Sequence, residues 1–135
     1  MKETSENKKK ILLIDDEEDF CFFLKQNLEQ TGEFCVFYAT DPSKGIKIAR
    51  KKTFDLILLD IKMPKQDGFE VLEILKKNNK TLSIPVVMLT AVEDNAAKIK
   101  ASHLYDDDYI TKPVSYETLR AKIDMVLKRR SAAIW

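Results

Sequence analysis

The sequence lacks three features that would place it in a specialised class. Its formal net charge is only +1, so no overall field favours nucleic acid or an anionic membrane as a partner. No apolar run approaches the roughly 20 residues that span a bilayer, and the polar residues 1–10 do not resemble a signal peptide. The two cysteines, Cys21 and Cys35, lack the spacing of a metal site or disulfide framework. We therefore expect a cytoplasmic protein with two reduced thiols and no membrane partner.

What is present is typical of one folded domain. The chain has 135 residues, of which 44% are hydrophobic and 33% charged, and this balance argues against disorder. No internal repeat, low-complexity tract or second-domain boundary is visible. We predict a polar tail over residues 1–9, one domain over residues 10–130, and a short tail over residues 131–135.

The most informative stretch is an uninterrupted apolar run that ends in a carboxylate. Residues 56–59 are Leu-Ile-Leu-Leu, and Asp60 follows directly. Because polar residues do not alternate with apolar ones, we expect a strand buried on both faces of a parallel sheet. A second run, residues 11–14, also ends in acid, at Asp15 and Asp16. Both strands thus appear in the sequence with carboxylates at their carboxyl ends.

The remaining pattern alternates strands with helices. We predict further strands at residues 34–39, 84–89 and 109–111, and five helices. The first helix is expected to pack through Phe20, Phe23, Leu24 and Leu28, and a weaker fourth helix to cover residues 93–104. Asp41, Asp67 and Ser115 are the predicted N-caps of the second, third and last helices. Five strands alternating with five helices predict an α/β fold with a parallel sheet covered on both faces.

Chemically compatible side chains follow four of these strands. They are Asp15 and Asp16, then Asp60, then Thr90, then Lys112. In a parallel sheet these positions share one edge, where crowded carboxylates would repel each other and raise their pKa values. Mg²⁺ prefers such oxygen ligands, and a lysine ammonium supplies a second counter-charge. A metal, a lysine and a hydroxyl around one carboxylate suit phosphoryl transfer to that carboxylate.

Each residue alone has an ordinary explanation. A single Asp15 or Asp16 is more often a cap or turn residue, and acids at the start of a helix favour its dipole. Thr90 is unremarkable at a strand end, Lys112 could be a surface lysine, and Asp67 is more simply a cap than a ligand. The hypothesis therefore depends on the combination, in this order along the chain.

That combination resembles the receiver domain of two-component response regulators, over about residues 9–130. The resemblance implies a flavodoxin-like doubly wound (βα)5 fold with strand order 2-1-3-4-5. It also implies a signalling domain, not a true enzyme, with only intrinsic Mg²⁺-dependent autophosphorylation and autodephosphorylation. The residues that carry the match are Asp15-Asp16, Asp60, Met63-Pro64, Asp67-Gly68, Thr90-Ala91, Tyr109 and Lys112-Pro113.

By the same resemblance, Asp60 accepts a phosphoryl group from a phosphohistidine. Asp16 and Asp60 would bind Mg²⁺ directly and Asp15 largely through water, with the backbone carbonyl of Lys62 as the remaining protein ligand. Lys112 would pair with the phosphate. Thr90 would move to bond a phosphate oxygen, and Tyr109 would swing inward with it.

The implied partners are proteins. A histidine kinase or phosphotransfer protein would donate the phosphoryl group to a monomer or a phosphorylation-dependent dimer. A downstream protein would bind the face formed by residues 93–104, the fifth strand and the last helix. Tyr105 and Asp106 depart from the family's frequent Gly-Ala, which affects the shape of this face, and Val114 stands where Phe is frequent. We expect a single-domain regulator, or one whose output domain lies outside this sequence.

Two other functions are compatible with parts of the sequence. A phosphatase of the haloacid-dehalogenase type also uses an aspartyl nucleophile, but it carries a second Asp two residues later, where this chain has Lys62. The other alternative is an interaction module that keeps the fold without being phosphorylated. Nucleic-acid binding has little support, because only one helix follows Val114. We interpret the basic cluster at residues 128–130 as a solvated helix end.

Overall fold

A computed structural model describes residues 7–91, 108–112 and 115–133, and within them the chain forms five strands and four helices. The predicted helix at residues 93–104, and Tyr105, Asp106, Pro113 and Val114, lie outside the described residues. The elements in chain order are β1 (Lys9–Ile14), α1 (Glu18–Glu29), β2 (Phe34–Ala39), α2 (Pro42–Lys51), β3 (Leu56–Asp60), α3 (Gly68–Lys76), β4 (Val86–Thr90), β5 (Asp108–Thr111) and α4 (Tyr116–Ala133).

The five strands form one parallel sheet in the order β2-β1-β3-β4-β5. This confirms the predicted doubly wound fold. All five residues of β3 and all five of β4 are buried, as expected for central strands covered on both faces. The register pairs Asp60 with Leu89 and Thr90 with Thr111, so the carboxyl ends of β3, β4 and β5 lie side by side.

Two apolar layers cover the sheet, one on each face. Ile11 and Leu13 of β1 point into a layer completed by α1 and α4. Leu12 and Ile14 point into the opposite layer, which α2 and α3 complete. The alternation follows from the strand period of two, and it fixes β1 and β3 between the two layers. The site at their carboxyl ends is therefore held by the best-buried part of the chain.

The predicted apolar stripe of α1 is partly wrong. Leu24 and Leu28 are buried, but Phe23 is 62% exposed and Cys21 is fully buried in its place. Cys21, Leu24 and Leu28 are spaced by three and four residues, the helical period of one face. The Cys21 thiol also donates to the Asp15 carbonyl, 3.3 Å away. Since a phenylalanine outranks a cysteine on hydrophobicity alone, the sequence pattern favoured the wrong phase.

The predicted caps are confirmed. The Asp67 carboxylate accepts from the Glu70 amide at 2.9 Å, and the Ser115 hydroxyl accepts from the Thr118 amide at 3.1 Å. Asp41 likewise accepts from the Lys44 amide. The strand predicted to start at residue 84 begins instead at Val86; proline at position 85 has no N–H for the strand ladder.

The interpretation of residues 128–130 as a solvated helix end is wrong for Arg130. Its guanidinium donates to the Asp55 carbonyl at 2.9 Å and the Phe54 carbonyl at 3.4 Å. It also pairs with the Asp55 carboxylate at 3.6 Å. The end of α4 is thus tied to the chain that enters β3. Among the described helices, none is long and apolar enough to cross a membrane.

Candidate phosphoacceptor and metal site

Asp60 is the last residue of β3 and is 6% exposed. Its backbone is fixed from the other side by Gly68, the first residue of α3. The Gly68 amide donates to the Ile61 carbonyl at 2.7 Å, and a Cβ on Gly68 would collide with the Asp60 carbonyl oxygen. Glycine is therefore needed here for close backbone approach. The Asp67-Gly68 pair both caps α3 and seats it against the Asp60 backbone.

Asp15 and Asp16 follow β1 and complete a group of three carboxylates. One carboxylate oxygen from each of Asp15, Asp16 and Asp60 lies within 4.8 Å of the others. Asp15 is fully buried and accepts from the Glu17 amide at 2.9 Å, whereas Asp16 is exposed. The predicted clustering of the three acids is confirmed. Two buried acids and one exposed acid leave the cluster open to solvent on one side.

Lys112 places its ammonium among the acids. Its Nζ lies 2.7 Å from Asp15, 3.2 Å from Glu17 and 3.5 Å from Asp60. The same Nζ stands 4.6 Å from the centre of the Phe20 ring, a cation–π arrangement that also shields it. Neither neighbour was predicted from the sequence: Glu17 was not singled out, and Phe20 was expected only to pack α1. Their position just after Asp16, where the chain turns into α1, was the available clue.

Burial and like charge dominate the electrostatics of the two buried acids. The pKa of Asp60 is raised from 3.8 to about 7, mainly by burial and then by the negative charge of Asp15, which the Lys112 ammonium only partly offsets. Burial also raises the pKa of Asp15, although its hydrogen bond to Lys112 opposes this. Burial lowers the pKa of Lys112, but the hydrogen bond to Asp15 and the negative charges of Asp15 and Asp60 together outweigh burial, so the pKa is raised. The site therefore holds more negative charge than one lysine neutralises.

Thr90 ends β4 at the carboxyl edge, where its carbonyl accepts from the Lys112 amide, and Tyr109 lies in β5 opposite Met88. Thr90 is buried, and its hydroxyl faces β5, 3.4 Å from the Ile110 carbonyl and 3.5 Å from the Thr111 hydroxyl. Both distances are long for hydrogen bonds between oxygen atoms. Tyr109 is 39% exposed. The described residues thus bring Thr90 to the carboxyl edge with a weakly held hydroxyl.

The donor set fits a hard cation such as Mg²⁺. Three carboxylates offer only oxygen, and Mg²⁺ is usually held by one or two carboxylates with waters. The Cys21 thiol, whose sulfur lies 3.3 Å from the Asp15 carbonyl, is no ligand, because burial and the charge of Asp15 raise its pKa to about 12 and keep it protonated. The Lys62 side chain is exposed, and its backbone carbonyl as a ligand remains a prediction.

Fold and site together define a doubly wound α/β domain with three carboxylates and a lysine at the carboxyl edge of its sheet. The family model of the response regulator receiver domain matches residues 11–124. The chain therefore belongs to this family, the receiver domains of two-component systems, which are signalling domains. Receiver domains of this family interact with histidine kinases and typically bind Mg²⁺.

Sequence relatives are consistent with this family assignment. The chain is 39% identical over 125 residues to the alkaline phosphatase synthesis transcriptional regulatory protein PhoP of Bacillus subtilis, covering 93% of this chain and 51% of that protein. It is 39% identical over 120 residues to the DNA-binding dual master transcriptional regulator RpaA of Synechocystis, covering 89% and 49%. The chain thus spans about half the length of the curated relatives it matches.

Solved structures show the same architecture. A CheY-like receiver domain protein from Methanospirillum hungatei superposes with a TM-score of 0.84 at 29% identity, covering 93% of this chain and 98% of that one. The chemotaxis protein CheY4 of Vibrio cholerae gives a TM-score of 0.80 at 26% identity, covering 88% and 98%. In both comparisons the aligned region covers 98% of the known structure.

Proposed function

We propose that this chain is a phosphorylation-operated switch in which Asp60 accepts a phosphoryl group from a phosphohistidine of a histidine kinase or phosphotransfer protein. The observation that carries the proposal is the buried Asp60 carboxylate, which shares one lysine with Asp15 and lies within reach of Asp16. Such a carboxylate is costly unless a cation or a transferred group uses it. We assign residues 10–130 to the receiver domain and the flanking residues to tails.

In the proposed reaction, an Asp60 carboxylate oxygen attacks phosphorus. The O–P bond forms as the N–P bond of the phosphohistidine breaks, which leaves an acyl phosphate and a free imidazole. Only the ionised carboxylate is nucleophilic, and the nearby Lys112 ammonium favours that form. Mg²⁺ bound by Asp16 and Asp60, with Asp15 acting through water and the Lys62 carbonyl as a further ligand, would neutralise charge on the transferring group.

The switch is proposed to work through side chains that can follow the new charge. Lys112 already reaches Asp60, so its ammonium can turn from Asp15 to the phosphoryl oxygens. Among the described residues, the Thr90 hydroxyl forms only long hydrogen bonds, so it would lose little by moving. Its movement would open space toward β5, into which the half-exposed Tyr109 can turn. Phosphorylation would thus be reported on the surface by a change in β5.

The proposed output is protein contact. A downstream protein would bind the face formed by residues 93–104, β5 and α4, and the chain would act as a monomer or a phosphorylation-dependent dimer. Two relatives are named as transcriptional regulators, one of them DNA-binding, but this chain matches only half of each. We propose that the receiver itself makes no nucleic-acid contact, acts as a single-domain regulator and works in the cytoplasm, where its two free cysteines would stay reduced.

The test is phosphorylation by a small donor. Acetyl phosphate with Mg²⁺ should add one phosphoryl group, seen by intact-protein mass spectrometry, and EDTA should prevent it. Asp60→Asn should abolish the addition, whereas Asp41→Asn, at a carboxylate in a helix cap, should not. Uptake that persists in Asp60→Asn would overturn the assignment. Rapid multiple turnover of a phosphate ester would favour the phosphatase hypothesis instead.

A further inference from the structure

A second charged site lies at the opposite edge of the sheet. A concavity of about 270 Å³ is lined by Arg50, Lys51, Lys52, Lys80 and Arg130, with the hydroxyls of Thr53 and Ser83. Its walls are the end of α2 and the segments that precede β3 and β4. It is therefore at the amino edge, roughly 13 Å or more from Asp60 along the four-residue rise of β3.

The cations converge from separate parts of the chain and are largely uncompensated. Arg130 is paired with Asp55, and Lys52 stands 5.0 Å over the Phe37 ring. Within the described ranges, no acid pairs with Arg50, Lys51 or Lys80. The α2 dipole favours cations in its last turn, but it does not account for Lys80.

The rim that carries Lys80 and Ser83 is braced from beneath. The Thr81 hydroxyl is buried and donates to the Leu75 carbonyl at 2.6 Å. Lys76 donates to the Ile84 carbonyl at 3.1 Å. On the other side, Arg130 is held by the Asp55 carbonyl. A concavity with fixed walls loses little entropy when a ligand fills it.

We infer that this concavity binds a compact oligophosphate, such as pyrophosphate, tripolyphosphate or the phosphate chain of a nucleotide. Arginine and lysine with hydroxyl donors are the groups that recognise clustered phosphate oxygens. The volume is below the roughly 300–1,000 Å³ of sites that enclose whole drug-sized ligands, so a compact anion fits best. Phe54, the aromatic residue of the lining, is fully buried, so it offers no stacking surface to the bases of a single-stranded nucleic acid.

This site shares no residue with the phosphoacceptor edge, so its test is independent of the proposed function. Titration of the ¹⁵N-labelled chain with tripolyphosphate, in EDTA and about 0.15 M salt, should shift the amides of residues 50–53 and 80–84 saturably. Asp60→Asn protein should bind equally well. Lys80→Gln with Arg50→Gln should weaken binding at least tenfold. Lys47→Gln removes one charge from α2 outside the lining, and its affinity should stay within about twofold, because Lys47 does not line the concavity.

Four results would each overturn the inference. One is the absence of saturable shifts up to about 5 mM tripolyphosphate, which lies in the millimolar range of weak binding. Another is a shift pattern centred on residues 15–17 and 112. A third is equal weakening by Lys47→Gln, which would indicate a diffuse charge effect. The fourth is tighter binding of a short single-stranded oligonucleotide than of tripolyphosphate at this edge, which would assign the surface to nucleic acid. ATP and pyrophosphate, compared with tripolyphosphate, would show whether a nucleoside contributes.

Discussion

Replacing Asp60, the proposed phosphoacceptor, by Asn should stabilise the metal-free protein at neutral and alkaline pH. Burial and the charge of Asp15 raise the pKa of Asp60 from 3.8 to about 7. The native state thus holds a proton on Asp60 where the unfolded chain has released it. A carboxyl with a raised native pKa supports stability below its unfolded pKa, and that support is lost as pH rises toward the native value.

The expected size follows from the shift. Roughly 3 pKa units at about 1.36 kcal/mol each give an upper bound of about 4 kcal/mol for the ionised group. Lys112 lies 3.5 Å from Asp60 and loses a partner in the variant, so we expect a net gain of about 2 kcal/mol at pH 8. The gain should shrink between about pH 7 and pH 4, where both states of the wild type become protonated.

Urea unfolding in EDTA from pH 4 to 8, with equal m-values in both proteins, measures this difference. Asp41→Asn is the matched control: hydrogen bonds from Ser43 and the Lys44 amide lower the pKa of Asp41. Relative to the wild type, Asp41→Asn protein should become less stable as pH rises through the acidic range, because only the wild type gains stability when Asp41 ionises. This trend is opposite to the one expected for Asp60→Asn. Added Mg²⁺ should narrow the gap by binding the folded wild type. An Asp60→Asn protein that is less stable at pH 8, or a gap that does not change with pH, would refute the reasoning.

Three further predictions test the supports of the site. Gly68→Ala should destabilise the protein by about 1–3 kcal/mol, because the added methyl group would collide with the Asp60 backbone. Urea unfolding measures this loss of stability, and an unchanged unfolding midpoint would contradict the close approach. Arg130→Gln should cost about 1–3 kcal/mol through lost charged hydrogen bonds, whereas Lys128→Gln, at an exposed position of the same helix, should cost less. Equal costs would refute the tie to β3. Lys112→Met should raise the pKa of Asp60 further, so the variant should be destabilised more at pH 8 than at pH 5. Thermal unfolding at the two pH values measures this difference. An equal loss of stability at both would argue against ion pairing.

The parallel sheet and the meeting of Asp15, Asp16 and Asp60 at one edge were predictable because they depend on strong local patterns, whereas the strand order was implied only by the resemblance to receiver domains. Continuous apolar runs define the central strands, and parallel pairing then places their carboxyl ends together. The caps were predictable for the same reason, since an Asp or Ser before a helix acts within three residues.

What the sequence did not reveal depends on contacts between distant segments. Nothing local to Arg130 shows that its guanidinium reaches the Asp55 carbonyl 75 residues away. The phase of α1 was misjudged because burial of Cys21 depends on the sheet beneath it, and Phe23 is left outside. The cations of the amino edge come from three parts of the chain, so no single stretch of sequence marks them as a group.

The contact between Gly68 and the Asp60 backbone limits which parts of the site can move relative to each other. Because the two backbones are in close contact, the start of α3 and the end of β3 cannot shift independently of each other. If Asp60 is phosphorylated as proposed, the added group would extend from a fixed backbone, and the displacement that accommodates it would fall on the side of the Thr90 hydroxyl, whose hydrogen bonds to described residues are long. The close contact at Gly68 would direct this displacement toward β5 and away from α3.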